Sequence, residues 1–323
     1  MQHIKETLQQ GLNDFIKSNS GNPKELYEPI NYSLSLGGKR LRPILLMQVC
    51  EAFGGDIQTA LPAALGIEVF HNFTLLHDDI MDNAPLRRNK PTVHEKWNSN
   101  IAILSGDTMF VKAYQLVLQT KHPKIIELLA LFSKTAIEVC EGQQLDMNFE
   151  TIPNASINDY IRMIELKTAV LLAASLKMGS IIANASDNDA ESMYEFGRNV
   201  GIAFQLQDDI LDVFGSQENF GKMVGGDIAC NKKTYLLLKS IELANPKQQM
   251  ELSHWLSYKD ENIIPKIEGV KEIYRQLDIR KHAEQKMQDY LELALVYLNK
   301  SSLNSESKLM LQAFADELMV RVN

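Results

Sequence analysis

Long apolar runs are absent from this sequence of 323 residues. The best candidate for a membrane span, AVLLAASLKMGSIIA, is interrupted by Lys177 and is shorter than the roughly 20 apolar residues that such a helix needs. The first residues, MQHIKETLQQGLNDF, carry acidic groups and lack the pattern of a secretory signal peptide. We therefore expect a cytoplasmic protein that does not insert into a membrane.

Cysteine and net positive charge are also scarce. The three cysteines, Cys50, Cys140 and Cys230, are odd in number and far apart, which excludes a disulfide framework or a cysteine zinc site and predicts a reducing compartment. The formal net charge of −8 argues against a general nucleic-acid binder. Basic residues nevertheless occur in local groups, so an anionic small molecule stays a candidate ligand.

Proline is missing from two long parts of the chain. None of the ten prolines lies between Pro153 and Pro246 or after Pro265. Apolar residues recur at spacings of three and four, and strict alternation is nearly absent, which is typical of helices. No linker or shift in composition divides the chain. The sequence predicts one all-α domain over residues 1–323, a bundle of about ten to twelve helices.

One acidic pattern, Asp-Asp-Ile-x-Asp, occurs twice, at residues 78–82 and 208–212. Each copy lies in an apolar stretch, where unpaired carboxylates are costly. The first and last aspartates of each copy share a helix face, because they are four residues apart. Carboxylates that converge from two helices repel one another unless hard cations such as Mg²⁺ lie between them. We therefore predict two facing helices that bind a phosphorylated substrate through magnesium. The candidate ligands are Asp78, Asp82, Asp208 and Asp212.

Basic residues follow the first motif and precede it. Arg87 and Arg88 come shortly after it, and guanidinium groups match phosphate oxygens in bidentate fashion. Lys39, Arg40 and Arg42 follow two glycines at a predicted helix start, a position that favours an anion. Each signal alone also fits an ordinary surface turn.

Polar residues also mark the second half of the chain. Lys167 and Thr168 lie in an apolar helix, so Lys167 either extends to the surface or points into a polar cavity. Gln205 precedes the second motif by three residues. A glycine-rich segment after this motif carries Lys222 and Lys232, and its spacing is not that of a Walker A loop.

Two Glu-x-x-His pairs match the spacing found in di-iron helix bundles. Glu68 and His71 precede the first acidic motif, whereas Glu251 and His254 lie in a polar segment typical of a surface helix. Two further glutamates on matching helix faces are not evident. Magnesium chemistry is therefore favoured over di-iron chemistry.

The ordered segments resemble those of the trans-type polyprenyl diphosphate synthases, the family of farnesyl and geranylgeranyl diphosphate synthases. They are GGKRLRP, LLHDDIMD, LRRNKPTVH, GDTMF, EGQQLDM, MIELKT, FQLQDDILD and GKMVGGD, and they run along nearly the whole chain. The resemblance implies an isoprenoid synthase fold, a helical bundle around a deep central cavity, and a homodimer. It also implies head-to-tail condensation of isopentenyl diphosphate with an allylic diphosphate such as the dimethylallyl, geranyl or farnesyl compound.

The resemblance assigns a role to each marked residue. It implies that Asp78, Asp82 and Asp208, supported by Asp212, bind Mg²⁺, three ions when substrate is present. It implies that the allylic diphosphate is held by Arg87, Lys167 and Lys222, with Lys232 closing over it. It implies that isopentenyl diphosphate is held by Lys39, Arg42, His71 and Arg88. Lys167, Thr168, Gln205 and Lys222 are the implied catalytic residues. One departure is Asn231, where the family often has glycine, and asparagine tolerates the left-handed conformation well.

Two aromatic residues before the first motif are candidates for limiting product length. Phe73 and Phe70 precede Asp78 by five and eight residues, which places them about 7.5 and 12 Å from it along one helix face. Both could also be ordinary core residues. In the resembling family an aromatic at the first position restricts elongation, so we expect a twenty-carbon product, or else a fifteen-carbon one. A terpene cyclase or a non-catalytic subunit of a heteromeric synthase is the alternative, although the second acidic motif and the complete basic set disfavour both.

Overall fold

The computed structural model describes residues 2–152, 154–215 and 224–319, except for the side chain of Glu150. These residues form an all-α fold, as predicted. When the π-helical turn and its two flanking helices are counted as one, the described residues contain fifteen helices, thirteen of which have at least eight residues. The predicted number of about ten to twelve was slightly low.

The chain divides into two compact units, residues 1–134 with 174–194, and residues 135–173 with 195–323. The boundaries fall inside α7, α9 and α10, which are defined below. Each unit contains one of the two acidic motifs. The prediction of a single domain over residues 1–323 stays a prediction.

The elements of the first unit include a short hairpin. They are α1 (Gln2–Ser18), α2 (Lys24–Ser35), α3 (Leu41–Ala52), α4 (Ile57–Met81), β1 (Leu86–Arg87), β2 (Lys90–Pro91), α5 (Val93–Lys96), α6 (Ser99–Leu118) and the beginning of α7 (Ile125–Thr151). The hairpin is antiparallel and pairs Arg87 with Lys90. Residues 174–182 of α9 and residues 187–194 of α10 also belong to this unit.

The elements of the second unit include the rest of α7 and a long helix with a π-helical turn. They are α8 (Ile157–Ile164), the π turn (Glu165–Ala169), α9 (Val170–Ile182), α10 (Asp187–Phe214), α11 (Gly226–Ala229), α12 (Tyr235–Leu243), α13 (Pro246–Leu256), α14 (Ile264–Gln276), α15 (Ile279–Lys300) and α16 (Ser305–Met319).

Helix α4 forms the centre of the first unit and positions the first acidic motif. It begins at Asp56, whose carboxylate accepts the backbone N–H groups of Gln58 and Thr59 at 3.1 Å each, which satisfies the first turn. Most of its next three turns is buried, and it packs along α6. Gly66 allows this close packing, because a Cβ there would lie 2.7 Å from Val117 Cγ2.

One described helix, α6, is long and apolar enough to cross a membrane by length and composition alone. The sequence analysis named a different segment, AVLLAASLKMGSIIA, as the best candidate, and Asp107 and Lys112 lie within α6. Only 39% of its apolar window is buried. The apolar side chains that remain exposed include Leu104, Val111 and Leu118.

The second unit has its own apolar core around the second acidic motif. Helix α10 contributes Leu206, Ile210 and Val213, which pack with residues from α8, α12 and α14. The start of α8 is fixed by a capping box, in which Ser156 and Asp159 bond to each other's backbone N–H groups. This core therefore supports both the second motif and the helix that leads to Lys167.

Candidate active site

The first acidic motif lies at the carboxyl end of α4, and its three aspartates differ in exposure. Asp78 is half-buried, Asp79 is buried and Asp82 is exposed just after the last residue of α4. Arg87 donates from Nε to both carboxylate oxygens of Asp79, at 2.7 and 2.9 Å. Its Nη2 lies 3.6 Å from Asp78 Oδ2. The middle aspartate is thus held by an arginine, whereas the two predicted metal ligands keep access to solvent.

Two opposing effects act on the pKa of Asp79. Burial raises the pKa of this carboxyl, while the hydrogen bonds and charge of Arg87 lower it, and burial is the larger effect. A carboxylate that receives two short N–H bonds from a guanidinium is nevertheless best described as ionised, because such pairs are charge-assisted. Asp79 therefore serves to orient Arg87 beside the motif.

The hairpin that carries Arg87 and Arg88 is fixed from α2. Tyr32 donates its hydroxyl hydrogen to the carbonyl oxygen of Pro91 at 2.8 Å. The ammonium group of Lys96 lies 3.9 Å from the centre of the Tyr32 ring, which is a cation–π distance. These contacts hold the two arginines near the end of α4.

A group of basic residues lies behind the first motif, around one buried acid. Arg40 adopts a left-handed conformation directly before α3, and its guanidinium donates to Glu68 and to the carbonyl oxygen of Leu34. Asn72 also donates to Glu68, at 2.6 Å. Glu68 is therefore the counter-charge of Arg40, and its hydrogen bonds with Arg40 and Asn72 give it a structural role. The di-iron interpretation of this Glu-x-x-His pair finds no support, and its structural role was not apparent from the sequence.

Arg42 and His71, both of which were predicted to bind isopentenyl diphosphate, contact each other. Arg42 Nη1 lies 3.2 Å from His71 Nε2. Burial and the nearby positive charges of Arg42 and Arg88 hold the pKa of His71 well below its usual range. A neutral His71 accepts this hydrogen bond and orients Arg42 rather than adding positive charge. Arg42 Nε is buried and has no hydrogen-bond partner among the described residues.

The other predicted ligands of isopentenyl diphosphate belong to the same unit. Lys39 is exposed beside Gly38, and Arg88 donates to the carbonyl oxygen of Gly37. Gly38 has φ of +130°, and a Cβ there would lie 2.7 Å from Arg88 Nη2, so this glycine leaves room for the arginine.

Lys167 and Thr168 lie on the π-helical turn and are held by residues of neighbouring helices. Lys167 Nζ donates to Asp146 of α7 at 2.6 Å. The hydroxyl of Thr168 donates to Gln205 of α10 at 3.3 Å. Lys167 therefore points into a polar setting and does not extend along the surface. The sequence offered EGQQLDM as a matching segment but did not identify Asp146 as the partner.

The second acidic motif, like the first, has a buried middle aspartate. Asp208 is half-buried, whereas Asp209 is buried and accepts a hydrogen bond from the Tyr160 hydroxyl. Burial and the charge of Asp227 raise the pKa of Asp209 to about 7, although its hydrogen bonds to Tyr160 and Gln205 act in the opposite direction. The middle aspartate of each motif is thus used within the fold, by Arg87 in one case and by Tyr160 in the other.

We expect Asp209→Asn to stabilise the metal-free protein at pH 8. The folded-state pKa of about 7 lies above the ordinary value of 3.8, so the folded chain binds this proton more tightly than the unfolded chain. The stability associated with Asp209 is therefore full below about pH 4 and falls as the pH rises through 7. Because the asparagine amide does not ionise, Asp209→Asn avoids this loss and should raise the free energy of unfolding by roughly 2–4 kcal/mol at pH 8.

Urea unfolding in EDTA at pH 5 and pH 8 measures the effect. The gain should be about a third as large at pH 5, because the unfolded-state carboxyl, with its ordinary pKa of 3.8, is already ionised there while Asp209 in the folded protein is still neutral. Asp289→Asn, at an exposed acid of the same unit, is the control and should change stability little at either pH. A pH-independent effect of Asp209→Asn would contradict the raised pKa.

Asp212 departs from the expected symmetry of the two motifs. It is buried, and its carboxylate accepts the backbone N–H of Asp227 at 3.0 Å, at the start of α11. Gly225 N–H donates to the carbonyl oxygen of Asp212 at 2.6 Å. Asp212 therefore ties α10 to the segment that carries Lys232, a tertiary role that its spacing from Asp208 did not reveal.

The segment after α11 has the backbone that the sequence suggested. Asn231 has φ of +55°, so it occupies the left-handed region, in agreement with the expectation for this position. Lys232 is exposed, and its Nζ lies 3.9 Å from Asp227 Oδ1. Lys233 donates to the carbonyl oxygen of Ile152 at 2.7 Å, after the end of α7. Lys222, a predicted ligand of the allylic diphosphate, lies outside the described residues.

The described carboxylates fit magnesium by their chemistry. The described ranges contain no group of three or more His, Cys, Asp or Glu side chains that could hold a metal ion. Mg²⁺ does not require such a group, since it is usually bound by one or two carboxylates, waters and substrate phosphates. Asp78, Asp82 and Asp208 provide accessible oxygen donors of this kind. Asp212 fits less well, because it is buried and already accepts an N–H.

Phe73 and Phe70 belong to an aromatic group in the first unit. Phe73 is half-buried and packs against Phe70 and Phe110, with ring centres 5.6 and 5.2 Å apart. Phe70 is fully buried among Phe73, Phe110 and Phe132. Phe70 is therefore a core residue behind Phe73 in this structure. The sequence analysis missed Phe110, which lies in the GDTMF segment.

Comparisons with known proteins identify the family. Residues 23–277 match the family model described as Polyprenyl synthetase. A geranylgeranyl diphosphate synthase of Methanosarcina mazei is 43% identical over 222 residues, 68% of each chain. A crystal structure of a geranylgeranyl pyrophosphate synthase is 46% identical, with a TM-score of 0.91 over 98% of this chain and 99% of that chain. A polyprenyl synthase from Caulobacter crescentus CB15, complexed with calcium and isoprenyl diphosphate, is 27% identical, with a TM-score of 0.86 over 99% and 97%. The chain belongs to the polyprenyl synthetase family.

Proposed function

We propose that this protein is a short-chain trans-prenyltransferase that condenses isopentenyl diphosphate with an allylic diphosphate. The observation that carries the proposal is the end of α4, where the accessible carboxylate of Asp78 lies beside Arg87, which Asp79 holds in place, and the exposed Asp82 follows. Such a set binds a metal–diphosphate complex and a second diphosphate. The family membership supports the same reaction.

The basic residues of the first unit provide the proposed site for isopentenyl diphosphate. Arg42 contributes a buried Nε donor, and neutral His71 keeps its guanidinium in place. Arg88 and Lys39 add positive charge from the hairpin and from the turn before α3. These side chains bind the diphosphate and leave its hydrocarbon end to react.

The allylic diphosphate is bound, in this proposal, by Arg87, Lys167, Lys222 and Lys232. Arg87 and Lys167 donate to carboxylates in this structure, but an arginine has five N–H donors and a lysine three. In this proposal both side chains also donate to the diphosphate, and the carboxylates keep them in place. Asp78, Asp82 and Asp208 hold Mg²⁺, three ions with substrate present, and Asp212 supports them by fixing the Lys232 segment.

The residues then favour departure of the diphosphate. When bound by these carboxylates, Mg²⁺ would neutralise the charge that grows on the leaving group. Arg87 and Lys167 donate hydrogen bonds to the departing diphosphate. These hydrogen bonds strengthen as the carbon–oxygen bond breaks and negative charge grows on the diphosphate. The oxygens of Thr168 and Gln205 lie beside the reacting carbons and stabilise the allylic cation. The double bond of isopentenyl diphosphate attacks that cation, and the released diphosphate accepts the proton, so no separate base is required.

An assay that omits isopentenyl diphosphate distinguishes a terpene cyclase of the same fold from a prenyltransferase. Purified protein is incubated with Mg²⁺ and geranyl or farnesyl diphosphate, with and without isopentenyl diphosphate, and loss of the allylic substrate is followed by chromatography. We expect consumption only when isopentenyl diphosphate is present. Consumption without it, with a cyclic hydrocarbon as product, would contradict the proposal and favour the cyclase.

Phe73 is the residue proposed to limit product length, and a twenty-carbon product is expected. Phe73→Ala should lengthen the product by at least one isoprene unit, because it removes the ring nearest to the motif. Phe70 lies behind that ring, so Phe70→Ala alone should lower stability by about 3–5 kcal/mol without changing the product. The double variant should give the longest products.

Chromatography of dephosphorylated products, with melting curves for all three variants, makes this comparison. Phe132→Ala is the control, because Phe132 is fully buried and packs against Phe70 but not against Phe73 among the described ring contacts. An unchanged product from an active double variant would place the limiting residue elsewhere.

We also propose a homodimer formed through the exposed apolar side of α6. Leu104, Val111 and Leu118 are 59%, 57% and 56% exposed and recur at seven-residue spacing on one side of this helix. An apolar row of this kind on a helix is typical of a subunit interface. The three free cysteines are consistent with the proposed cytoplasmic location.

We expect Leu104→Glu combined with Val111→Glu to convert the dimer to a monomer. The introduced glutamates would bury negative charges of both subunits against each other across a symmetric interface. Sedimentation velocity at micromolar concentration gives the result, with Leu309→Glu as the control at an exposed position of α16. A wild-type monomer, or a variant that remains a dimer, would contradict this interface.

A further inference from the structure

The helix that carries Lys167 and Thr168 is interrupted by its π-helical turn. Between α8 and α9, residues Glu165–Ala169 widen the helix, and the N–H of Val170 donates to the carbonyl oxygen of Glu165, five residues back. Such turns are rare and are frequent at functional sites, because they insert one residue and redirect the side chains. What holds this turn in place is therefore of interest.

Gly142 of α7 lies against the backbone at the middle of the turn. A Cβ at this position would be 2.2 Å from Lys167 N and 2.6 Å from the carbonyl carbon of Leu166. Real Cβ atoms essentially never come closer than 3.0 Å to other heavy atoms. The contact is with backbone atoms, which cannot rotate away as a side chain can. Only glycine allows α7 to approach the turn this closely.

Gly201 of α10 has the equivalent position at the end of the turn. A Cβ there would be 2.6 Å from Ala169 Cα and 2.7 Å from Ala169 Cβ. Gly201 has no positive φ and lies inside a regular helix, so backbone conformation does not require glycine here. The requirement comes from the close approach of the two backbones.

Each of these glycines is followed four residues later by the partner of a side chain on the turn. Asp146 follows Gly142 on α7 and accepts the hydrogen bond of Lys167 at 2.6 Å. Gln205 follows Gly201 on α10 and accepts that of Thr168 at 3.3 Å. Residues four apart share one face of a helix. On each of the two helices, one face therefore carries a glycine that contacts the backbone of the turn and a polar side chain that bonds to a residue of the turn.

We propose that Gly142 and Gly201 are positioning residues that set the π turn at the distance at which Asp146 reaches Lys167 and Gln205 reaches Thr168. A methyl group on either glycine pushes the turn away from its helix and breaks the corresponding hydrogen bond. The proposal rests on the function proposed above for Lys167 and Thr168. It adds two residues that touch no substrate and act through those side chains.

Double-mutant cycles separate positioning from general packing. Gly142→Ala, Lys167→Ala and the double variant are compared by kcat/KM for the allylic diphosphate, in the complete enzyme with Mg²⁺. We expect each single change to lower kcat/KM by about tenfold or more, the scale of a lost charge-assisted hydrogen bond. The double variant should be within about twofold of Lys167→Ala, because Gly142 then has no Lys167 ammonium left to position. KM for isopentenyl diphosphate should hardly change.

Gly201→Ala, Thr168→Ala and their double variant form a second, independent cycle with the same non-additive pattern. Each single change should lower kcat/KM by only about 2–10-fold, because Thr168 and Gln205 share a hydrogen bond between neutral groups. Gly269→Ala is the matched control in the same unit, since a Cβ there would lie 2.2 Å from the Trp255 ring and near no proposed site residue. This variant should lower the melting temperature and leave kcat/KM of the folded enzyme unchanged.

A measurement on the metal-free protein provides a readout without activity. In protein labelled with ¹⁵N-lysine, the hydrogen bond to Asp146 slows proton exchange at the Lys167 ammonium and makes its signal observable. Asp146→Asn identifies the signal by removing the charge of its acceptor. We expect Gly142→Ala to abolish this signal and Gly201→Ala to retain it.

The outcomes are distinguishable. Losses that multiply in the double variants, wild-type kcat/KM in both glycine variants, or failure of both to fold would overturn the proposal, which predicts a local shift in a folded protein. Full activity of Lys167→Ala and Thr168→Ala would instead contradict the function proposed for those residues.

Discussion

Asp78→Ala and Asp208→Ala should each reduce kcat by orders of magnitude while leaving helicity and melting temperature nearly unchanged. Each change removes a carboxylate that we assign to Mg²⁺, and the departing diphosphate then loses much of its charge stabilisation, an effect of several kcal/mol. The fold should tolerate the change at Asp78, because its ion pair with Arg87 is 3.6 Å long and partly exposed. Removing charge from an acidic cluster also relieves repulsion in the metal-free protein.

Activity is measured across a magnesium titration, and circular dichroism and melting curves monitor the fold. Asp14→Ala is the control, at an exposed acid of α1 that bonds only to Gln10 among the contacts described. Near-normal turnover of either motif variant with magnesium would contradict the assignment of that motif. A collapse in melting temperature would mean that the aspartate is structural.

Arg42→Ala should raise KM for isopentenyl diphosphate far more than KM for the allylic substrate. It removes a buried donor that has no partner among the described residues, together with the guanidinium that His71 orients. A charge-assisted contact of this kind contributes about 1.5–3 kcal/mol, which corresponds to roughly 10–150-fold in binding. Lys222→Ala, at a position outside the described residues, should have the opposite preference.

Initial rates with each substrate varied in turn, the other being saturating, give the two constants. Arg162→Ala is the control, at an arginine of α8 that is exposed and pairs with Glu165 on the helix surface. Equal changes in both constants for Arg42→Ala would contradict the division into two diphosphate sites.

The fold class followed from features that depend on local sequence. Apolar spacing and the long stretches without proline predict helices directly, since both describe one element at a time. Asp78 and Asp82 both keep access to solvent at the end of α4, and their role as metal ligands stays a prediction. The left-handed conformation of Asn231 was also expected, because it depends on the backbone preference of that residue alone.

Features that depend on tertiary partners were not predictable. Asp212 has the spacing of Asp82, yet it is buried because α11 begins against it. Glu68 matched an iron-binding pattern, and only the approach of Arg40 reveals it as a counter-charge. Phe70 shares a face with Phe73, but Phe110 and Phe132 from other helices enclose it. In each case the deciding neighbour is distant in sequence.

The π-helical turn illustrates the same limit. Periodicity through YIRMIELKTAVLLAASL indicates one continuous helix, and no residue in it marks an inserted turn. The signal lies in Gly142 and Gly201, which belong to other helices, together with the polar residues four positions after them. Once the helices are placed, those two repeated pairs of glycine and polar residue become recognisable in EGQQLDM and in GIAFQLQDD.

The most direct test of the proposed function uses the purified chain alone. It is incubated with Mg²⁺, radiolabelled isopentenyl diphosphate and geranyl diphosphate, and the extracted product is dephosphorylated and separated by chain length. We predict label in an extended linear prenyl diphosphate, mainly of twenty carbons, and no incorporation when EDTA replaces magnesium. A folded chain that incorporates no label without a second protein would contradict the account and identify a non-catalytic subunit.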